Sequence, residues 1–222
     1  MVLALLAFCF SNFAMALEFD SDVPATVKSQ MIEDLKLVGS FQGDSASEIY
    51  KRIFEIQTMT GSNLVTFFNS HVEEVGMDSC GGGPSVAACV YGASSKMWLT
   101  PNFVKNNIPQ IYRISMIFHE ARHTESYNWG WGHATCPTPY RDEKGQDIVG
   151  IISGAKMAGQ PACDNTVMGS YGLQAVLLKN VEKHCDNCTE KLKQDGQLFG
   201  DDTIKRISNL SERQKIREDL NK

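Results

Sequence analysis

The sequence predicts an α+β fold, in which a small sheet with an edge hairpin packs on one long amphipathic helix and the C-terminal part is mostly helical. Residues 107–125 carry apolar side chains at three- and four-residue spacing, which is the period of a helix with one buried face. The runs AACVYGA and KMWLTPNF are separated only by Ser94 and Ser95, which indicates a β-hairpin. Residues 166–183 return to helical spacing, so we expect a second long helix after the hairpin.

The other predicted elements flank this centre. Residues 24–37 have a helical period, and the polar cluster at 44–47 is typical of a helix start, with apolar positions continuing to Ile56. The run LVTFF, within residues 62–78, suggests a buried strand. Residues 126–165 are rich in Gly and Pro, and a loop this long in a compact domain is usually functional.

Length and charge limit the class of protein. A chain of 222 residues is enough for one globular domain with its own core. The formal net charge of -5 argues against a nucleic-acid partner, because such binding needs a basic face. We therefore expect no nucleic-acid partner, and we expect the chain to be a monomer.

The N-terminus is typical of an export signal. The run MVLALLAFCF is too short to span a bilayer, and Ala14-Met15-Ala16 fits the small-x-small rule for cleavage. We predict a signal peptide at 1–16, a metal-binding domain at 17–200 and a C-terminal amphipathic helix at 201–222. The mature protein would be secreted or periplasmic, without stable insertion in a membrane.

Removal of residues 1–16 leaves an even number of cysteines, which in an exported protein indicates disulfides. The simplest pairing is sequential: Cys80–Cys89, Cys136–Cys163 and Cys185–Cys188. The last pair could instead be a redox or metal pair. A zinc ribbon would need a second close pair, and a thioredoxin-like site would need a βαβ context, so a disulfide is the better interpretation.

The segment HEARH lies within the long amphipathic helix. His119 and His123 are four residues apart, so both imidazoles project from one face and can share one Zn²⁺. Glu120 follows the first histidine and points to the side of the metal. There it can act as the general base on a zinc-bound water.

This segment resembles the active-site helix of the zincin metallopeptidases, and the resemblance covers about residues 86–172. It implies a zincin-like fold whose edge strand, matched here by MWLTPNF, lies above the helix and binds extended peptide. Arg122 departs from the family, which normally has an uncharged residue at this position. Arg122 either pairs with Glu125 or anchors a substrate carboxylate.

The third zinc ligand has two candidates. The metzincin pattern fails because position 129 is Trp129, and the helix at 166–183 offers only Glu182, at its far end. His133 lies in the glycine-rich WGWGHATC, which can fold back towards the helix. Asp164 lies in PACDNTVMGSYG, which partially resembles the aspzincins, where an Asp ligand precedes a Tyr-Gly pair, although the spacing to Tyr171 is longer here.

We favour His133 as the ligand, because neutral imidazole suits zinc, with Asp164 orienting an imidazole through its other nitrogen. Tyr171 either donates its hydroxyl to the oxyanion of a tetrahedral intermediate or is a core aromatic of its helix. His71 and His184 are expected at the surface.

The function expected from these residues is that of a secreted zinc-dependent hydrolase, and specifically a peptidase that uses a zinc-activated water, with Glu120 as general base, on a peptide or protein substrate. A non-catalytic zinc-binding protein on a zincin scaffold is the alternative, and a thiol-disulfide protein that uses Cys185 and Cys188 is a third.

Overall fold

The computed structural model describes residues 17–81, 86–92, 94–105, 107–125 and 131–221, so the signal peptide predicted at 1–16 lies outside the described residues. The described chain is a mixed α+β fold of eight helices around a four-stranded sheet. Its elements in chain order are β1 (Glu18–Phe19), α1 (Ala25–Gly39), α2 (Glu48–Phe54), α3 (Gly61–His71), β2 (Glu74–Met77), β3 (Ala88–Val90), β4 (Lys96–Leu99), α4 (Pro101–Lys105), α5 (Gln110–His123), α6 (Ser170–His184), α7 (Glu190–Ile204) and α8 (Leu210–Asp219).

The sheet has the strand order β1-β2-β4-β3. Strands β1, β2 and β4 are parallel, whereas β3 pairs antiparallel with β4. The predicted hairpin is confirmed, with Cys89 opposite Trp98. The assignment of MWLTPNF as the edge strand is wrong, because β2 also pairs with β4 and makes it an interior strand. Met97 and Leu99 of β4 are fully buried, which suits that interior position, and β3 is the edge strand beside α5.

The prediction of a strand at LVTFF is also wrong, because these residues belong to α3. Leu64, Val65 and Phe68 are buried, and their spacing of one and four residues defines a helix face. Phe68 packs against Phe118 of α5 with ring centroids 5.6 Å apart. A short apolar run fits a helix as well as a strand, and here the packing against α5 decides between them.

The C-terminal part, from α6 onwards, is mostly helical as predicted, but its division into helices is different. Helix α6 packs between α5 and α7. The predicted boundary at 200/201 falls inside α7, so residues 201–222 are not one amphipathic helix. The chain turns after Ile204, where Ile207 is buried and Asn209 caps the start of α8. Among the described helices, none combines the length and apolar character that would be needed to cross a membrane.

All three sequential disulfides are confirmed. Cys80–Cys89 ties the turn after β2 to β3, and Cys185–Cys188 closes the end of α6. Cys136–Cys163 joins two parts of the long loop between α5 and α6. Three bonded pairs are typical of a protein that folds in an oxidising environment.

Candidate metal centre

Two histidines of the centre come from the last turns of α5. The buried face of this helix is apolar, with Ile114, Ile117 and Phe118 fully enclosed. His119 and His123 project from a neighbouring face, and their Nε2 atoms lie 3.2 Å apart. His119 is only 6% exposed, so the pair lies at the edge of the core.

The third histidine of the centre is His133. Its Nε2 atom lies 3.2 Å from Nε2 of His119 and 3.2 Å from Nε2 of His123. The loop that carries it is fixed by two backbone hydrogen bonds between Ala134 and Cys163 and by the Cys136–Cys163 disulfide. The geometry thus brings His133, and not Asp164, to the two histidines of α5.

These three side chains could hold a metal ion. Zinc–nitrogen bonds of about 2.0–2.1 Å in a tetrahedral site require nitrogen atoms about 3.4 Å apart, close to the observed triangle. Burial, together with the neighbouring His123 and His133, holds the pKa of His119 well below its usual range. The imidazole therefore stays neutral and keeps the lone pair that a metal needs. Imidazole donors suit zinc but also copper, iron and nickel, so the donor set does not by itself identify the ion.

The Nδ1 atoms of two of the imidazoles contact polar side chains, and these contacts orient the rings. Nδ1 of His133 lies 2.9 Å from Oδ1 of Asp164, and Nδ1 of His123 lies 3.2 Å from Oγ of Ser170. Nδ1 of His119 is buried without a hydrogen-bond partner among the described residues. Because a carboxylate only accepts, His133 must donate its Nδ1–H to Asp164 and keep its lone pair on Nε2.

Glu120 is buried next to this cluster, with an exposure of 7%. Its carboxylate makes no hydrogen bond or ion pair within the described part of the chain. Burial raises the pKa of the Glu120 carboxyl to about 8. A carboxyl group with a strongly raised pKa beside a metal-binding cluster is a typical candidate for an acid–base residue.

Tyr171 lies at the start of α6 and contacts two of the imidazoles. Its ring stacks on that of His133, with centroids 4.5 Å apart, and meets the His119 ring edge-on at 4.4 Å. Its hydroxyl oxygen accepts a hydrogen bond of 2.9 Å from Nη1 of Arg206. Burial raises the pKa of Tyr171 to about 12, against the opposing charge of Arg206, so the phenol keeps its proton at neutral pH.

Arg122 pairs with Glu125, as one of the two predicted interpretations has it, at 2.6 Å. It also donates two hydrogen bonds to the carbonyl oxygen of Met168. Glu125 in turn accepts a hydrogen bond from Trp131, whose φ of 52° lies in the left-handed region. This network connects the end of α5 to the loop that leads into His133.

The other two histidines lie outside the triangle. His71 is partly buried, not exposed as expected, with Nε2 3.2 Å from Glu125. His184 makes a surface contact with Ser45. Two residues of the site were not predicted, Ser170 and Arg206, and Arg206 lies in the segment that was predicted only as a C-terminal amphipathic helix.

Comparisons with protein-family models, with curated proteins and with solved structures gave no match. The functional interpretation therefore depends on the geometry of this site.

Proposed function

We propose that this protein is a secreted zinc-dependent hydrolase of the zincin type, and specifically a peptidase. The observation that carries the proposal is the triangle of three Nε2 atoms at 3.2 Å with the buried, unpaired carboxylate of Glu120 one residue from His119. Three protein ligands are the usual set of a catalytic zinc site, which keeps its fourth position for water or substrate. Zinc bound there would supply a water with a pKa near 7 and would polarise a carbonyl group.

The protein side chains would share the proton transfers. Glu120, in the ionised form that a neighbouring cation favours, would take a proton from the attacking water and later give it to the leaving amine. Tyr171 accepts a hydrogen bond from Arg206, so its own O–H remains available to donate to the oxyanion. These two roles account for a buried carboxyl and a buried phenol on either side of the cluster.

The edge strand suggests how an extended substrate would bind. Strand β3 is hydrogen-bonded to β4 on one side, packs beside α5, and has no strand on its other side among the described residues. Such an edge can accept a peptide as an additional strand. The zincin resemblance implies the same arrangement, with β3 in the place first assigned to MWLTPNF.

The alternative is a non-catalytic zinc-binding protein, which would need a fourth protein ligand to close the site. Asp164 was the candidate for that ligand. Its carboxylate instead engages Nδ1 of His133 and the backbone N–H of Tyr171, so the arrangement favours an open position.

The test combines metal analysis with hydrolysis. Purified protein should contain one zinc and cleave a mixed peptide library, and a chelator should stop the cleavage. His119→Ala should lose the zinc, whereas Glu120→Gln should keep it and lose hydrolysis. Glu33→Gln, an exposed carboxylate on α1, is the matched control and should behave as wild type. Zinc without cleavage in any condition would favour the non-catalytic alternative, and absence of zinc would refute the proposal.

A further inference from the structure

Among the described residues, the guanidinium of Arg206 has a single hydrogen-bond partner, the hydroxyl of Tyr171, which Nη1 contacts. Within the described part of the chain, no carboxylate lies within ion-pair distance of it. The negative charge of Asp202 acts on Arg206 at longer range and raises its pKa. Oδ1 of Asp202, however, lies 3.3 Å from Nζ of Lys205. Arg206 is only partly exposed, so a positive charge with five N–H donors is largely removed from water with a single acceptor.

Three other arginines of the chain are buried, and their positive charges have more partners than that of Arg206. Arg113 pairs with Asp34 at 2.6 Å, and Arg122 pairs with Glu125. Arg213 donates to two backbone carbonyl oxygens, those of Ile207 and Lys205. A largely buried charge that has a single neutral acceptor among the described residues is costly, so the difference at Arg206 points to a ligand as its further partner.

Arg206 is held firmly in position. Its Cζ lies 4.7 Å from the ring centroid of Tyr171, and its backbone carbonyl accepts the N–H of Asp164 at 2.9 Å. Nη2 lies close to Gly150, where an added Cβ atom would approach it to 3.2 Å. Asp164 therefore holds the backbone of Arg206, and Tyr171 holds its guanidinium. A guanidinium held in this way can bind an anion with little loss of side-chain entropy.

The guanidinium of Arg206 lies close enough to the three histidines for a short peptide to contact both. The ring of Tyr171 contacts both: its centroid lies 4.7 Å from Cζ of Arg206, 4.4 Å from the His119 ring and 4.5 Å from the His133 ring. An extended peptide advances about 3.3–3.6 Å per residue. A carboxylate one or two residues from a scissile carbonyl at the imidazoles can therefore reach Arg206.

We propose that Arg206 binds a carboxylate of the substrate, so that the protein prefers peptides with a carboxylate within two residues of the scissile bond. This inference rests on the proposed peptidase function. The planar guanidinium matches a carboxylate in a bidentate geometry. Arg206 thereby takes the anchoring role considered for Arg122, whose donors are already used by Glu125 and Met168. The carboxylate could come from a free C-terminus or from an Asp or Glu side chain.

Binding to zinc-loaded Glu120→Gln protein tests the inference without cleavage. Calorimetry would compare three acetylated tripeptides: one with a free C-terminal carboxylate, its C-terminal amide, and an amide with Asp at the last position. Loss of one charged hydrogen-bonded partner is expected to weaken binding roughly 10- to 100-fold. We expect at least one of the two carboxylate peptides to bind more tightly than the neutral amide by this factor. Comparison of the two carboxylate peptides then shows whether Arg206 binds a free C-terminus or an Asp side chain.

The variants then assign the preference to Arg206. In the same background, Arg206→Met should remove the difference between acid and amide, Arg206→Lys should retain part of it, and the exposed Arg217→Met should leave it unchanged. Zinc content and thermal unfolding check that each variant is folded. If the unmutated site binds acid and amide equally, the inference is overturned, even if every peptide is hydrolysed by wild type and the proposed function stands. If wild type hydrolyses none of them and the Glu120→Gln protein binds none, both the function and the inference fail.

Discussion

The carboxylate of Asp164 lies 2.9 Å from Nδ1 of His133, on the side of the imidazole that faces away from the other two histidines. The same carboxylate accepts the backbone N–H of Tyr171 through Oδ2 at 2.7 Å. One buried side chain therefore orients an imidazole of the candidate metal centre and holds the first turn of α6. The centre depends on this connection as much as on α5.

Removal of the Asp164 carboxylate should weaken the metal site without removing any of its three ligands. We expect Asp164→Ala to lower zinc affinity by roughly 10- to 100-fold, because the His133 ring loses the acceptor that fixes its tautomer. Competition with a chelator of known affinity measures this. Asp164→Asn, which keeps an acceptor oxygen, should lose less. If Asp164→Ala binds zinc as wild type does, the loop alone orients His133.

Gly169 offers a test of the same contact through packing. A Cβ atom at Gly169 would lie 2.4 Å from Oδ2 of Asp164, so Gly169→Ala must displace that carboxylate. We expect zinc affinity to fall and α6 to lose the hydrogen bond at its start. Gly132→Ala is the matched control, because a Cβ atom there meets nothing within 4 Å although the residue adjoins His133. Equal zinc affinities of the two variants would contradict the expected role of Asp164.

The sequence was most informative where its pattern is local. The apolar spacing of residues 107–125 corresponds to α5, and the two His residues at a four-residue step lie on one face of it because helix geometry requires this. The order of the cysteines was sufficient to predict the three disulfides. The hairpin was also predictable, since its two strands are nearly adjacent in the chain.

Contacts between distant segments were not predictable in the same way. The run LVTFF is apolar enough for a strand or a helix, and its packing on α5 selects the helix. Strand β4 is interior only because β2, whose paired residues lie 22 positions earlier in the chain, pairs with it. Arg206 joins the site because Asp164 and Ile207 form a bridge, and no local pattern around residue 206 indicates that contact.

The Cys136–Cys163 disulfide should stabilise both the fold and the metal site. Replacing both cysteines with Ser releases a loop with a sequence separation of 27, and we expect a loss of about 3–4 kcal/mol in the free energy of unfolding. Zinc affinity should also fall, because the bond fixes the strand bridge beside His133. Urea unfolding and chelator competition measure the two effects.

The Cys185–Cys188 pair is the control for that experiment. Its sequence separation is 3, and it closes a turn at the far end of α6, so its replacement with Ser should cost about 2 kcal/mol or less. Zinc affinity should be unchanged. A loss of zinc in this variant, or retention of wild-type affinity without the Cys136–Cys163 bond, would show that the disulfides do not act as the geometry implies.

Tyr171→Phe separates catalysis from metal binding. The variant keeps the ring that stacks on His133 and removes only the hydroxyl bonded to Arg206. If this hydroxyl donates to the oxyanion, kcat should fall roughly 100-fold or more, while KM and zinc affinity stay close to those of wild type. Steady-state kinetics on a library peptide that the protein cleaves give kcat and KM, and chelator competition gives the zinc affinity. An unchanged kcat would make Tyr171 a packing residue of the site, whereas loss of zinc would mean that its hydroxyl supports the imidazoles and does not take part in the reaction.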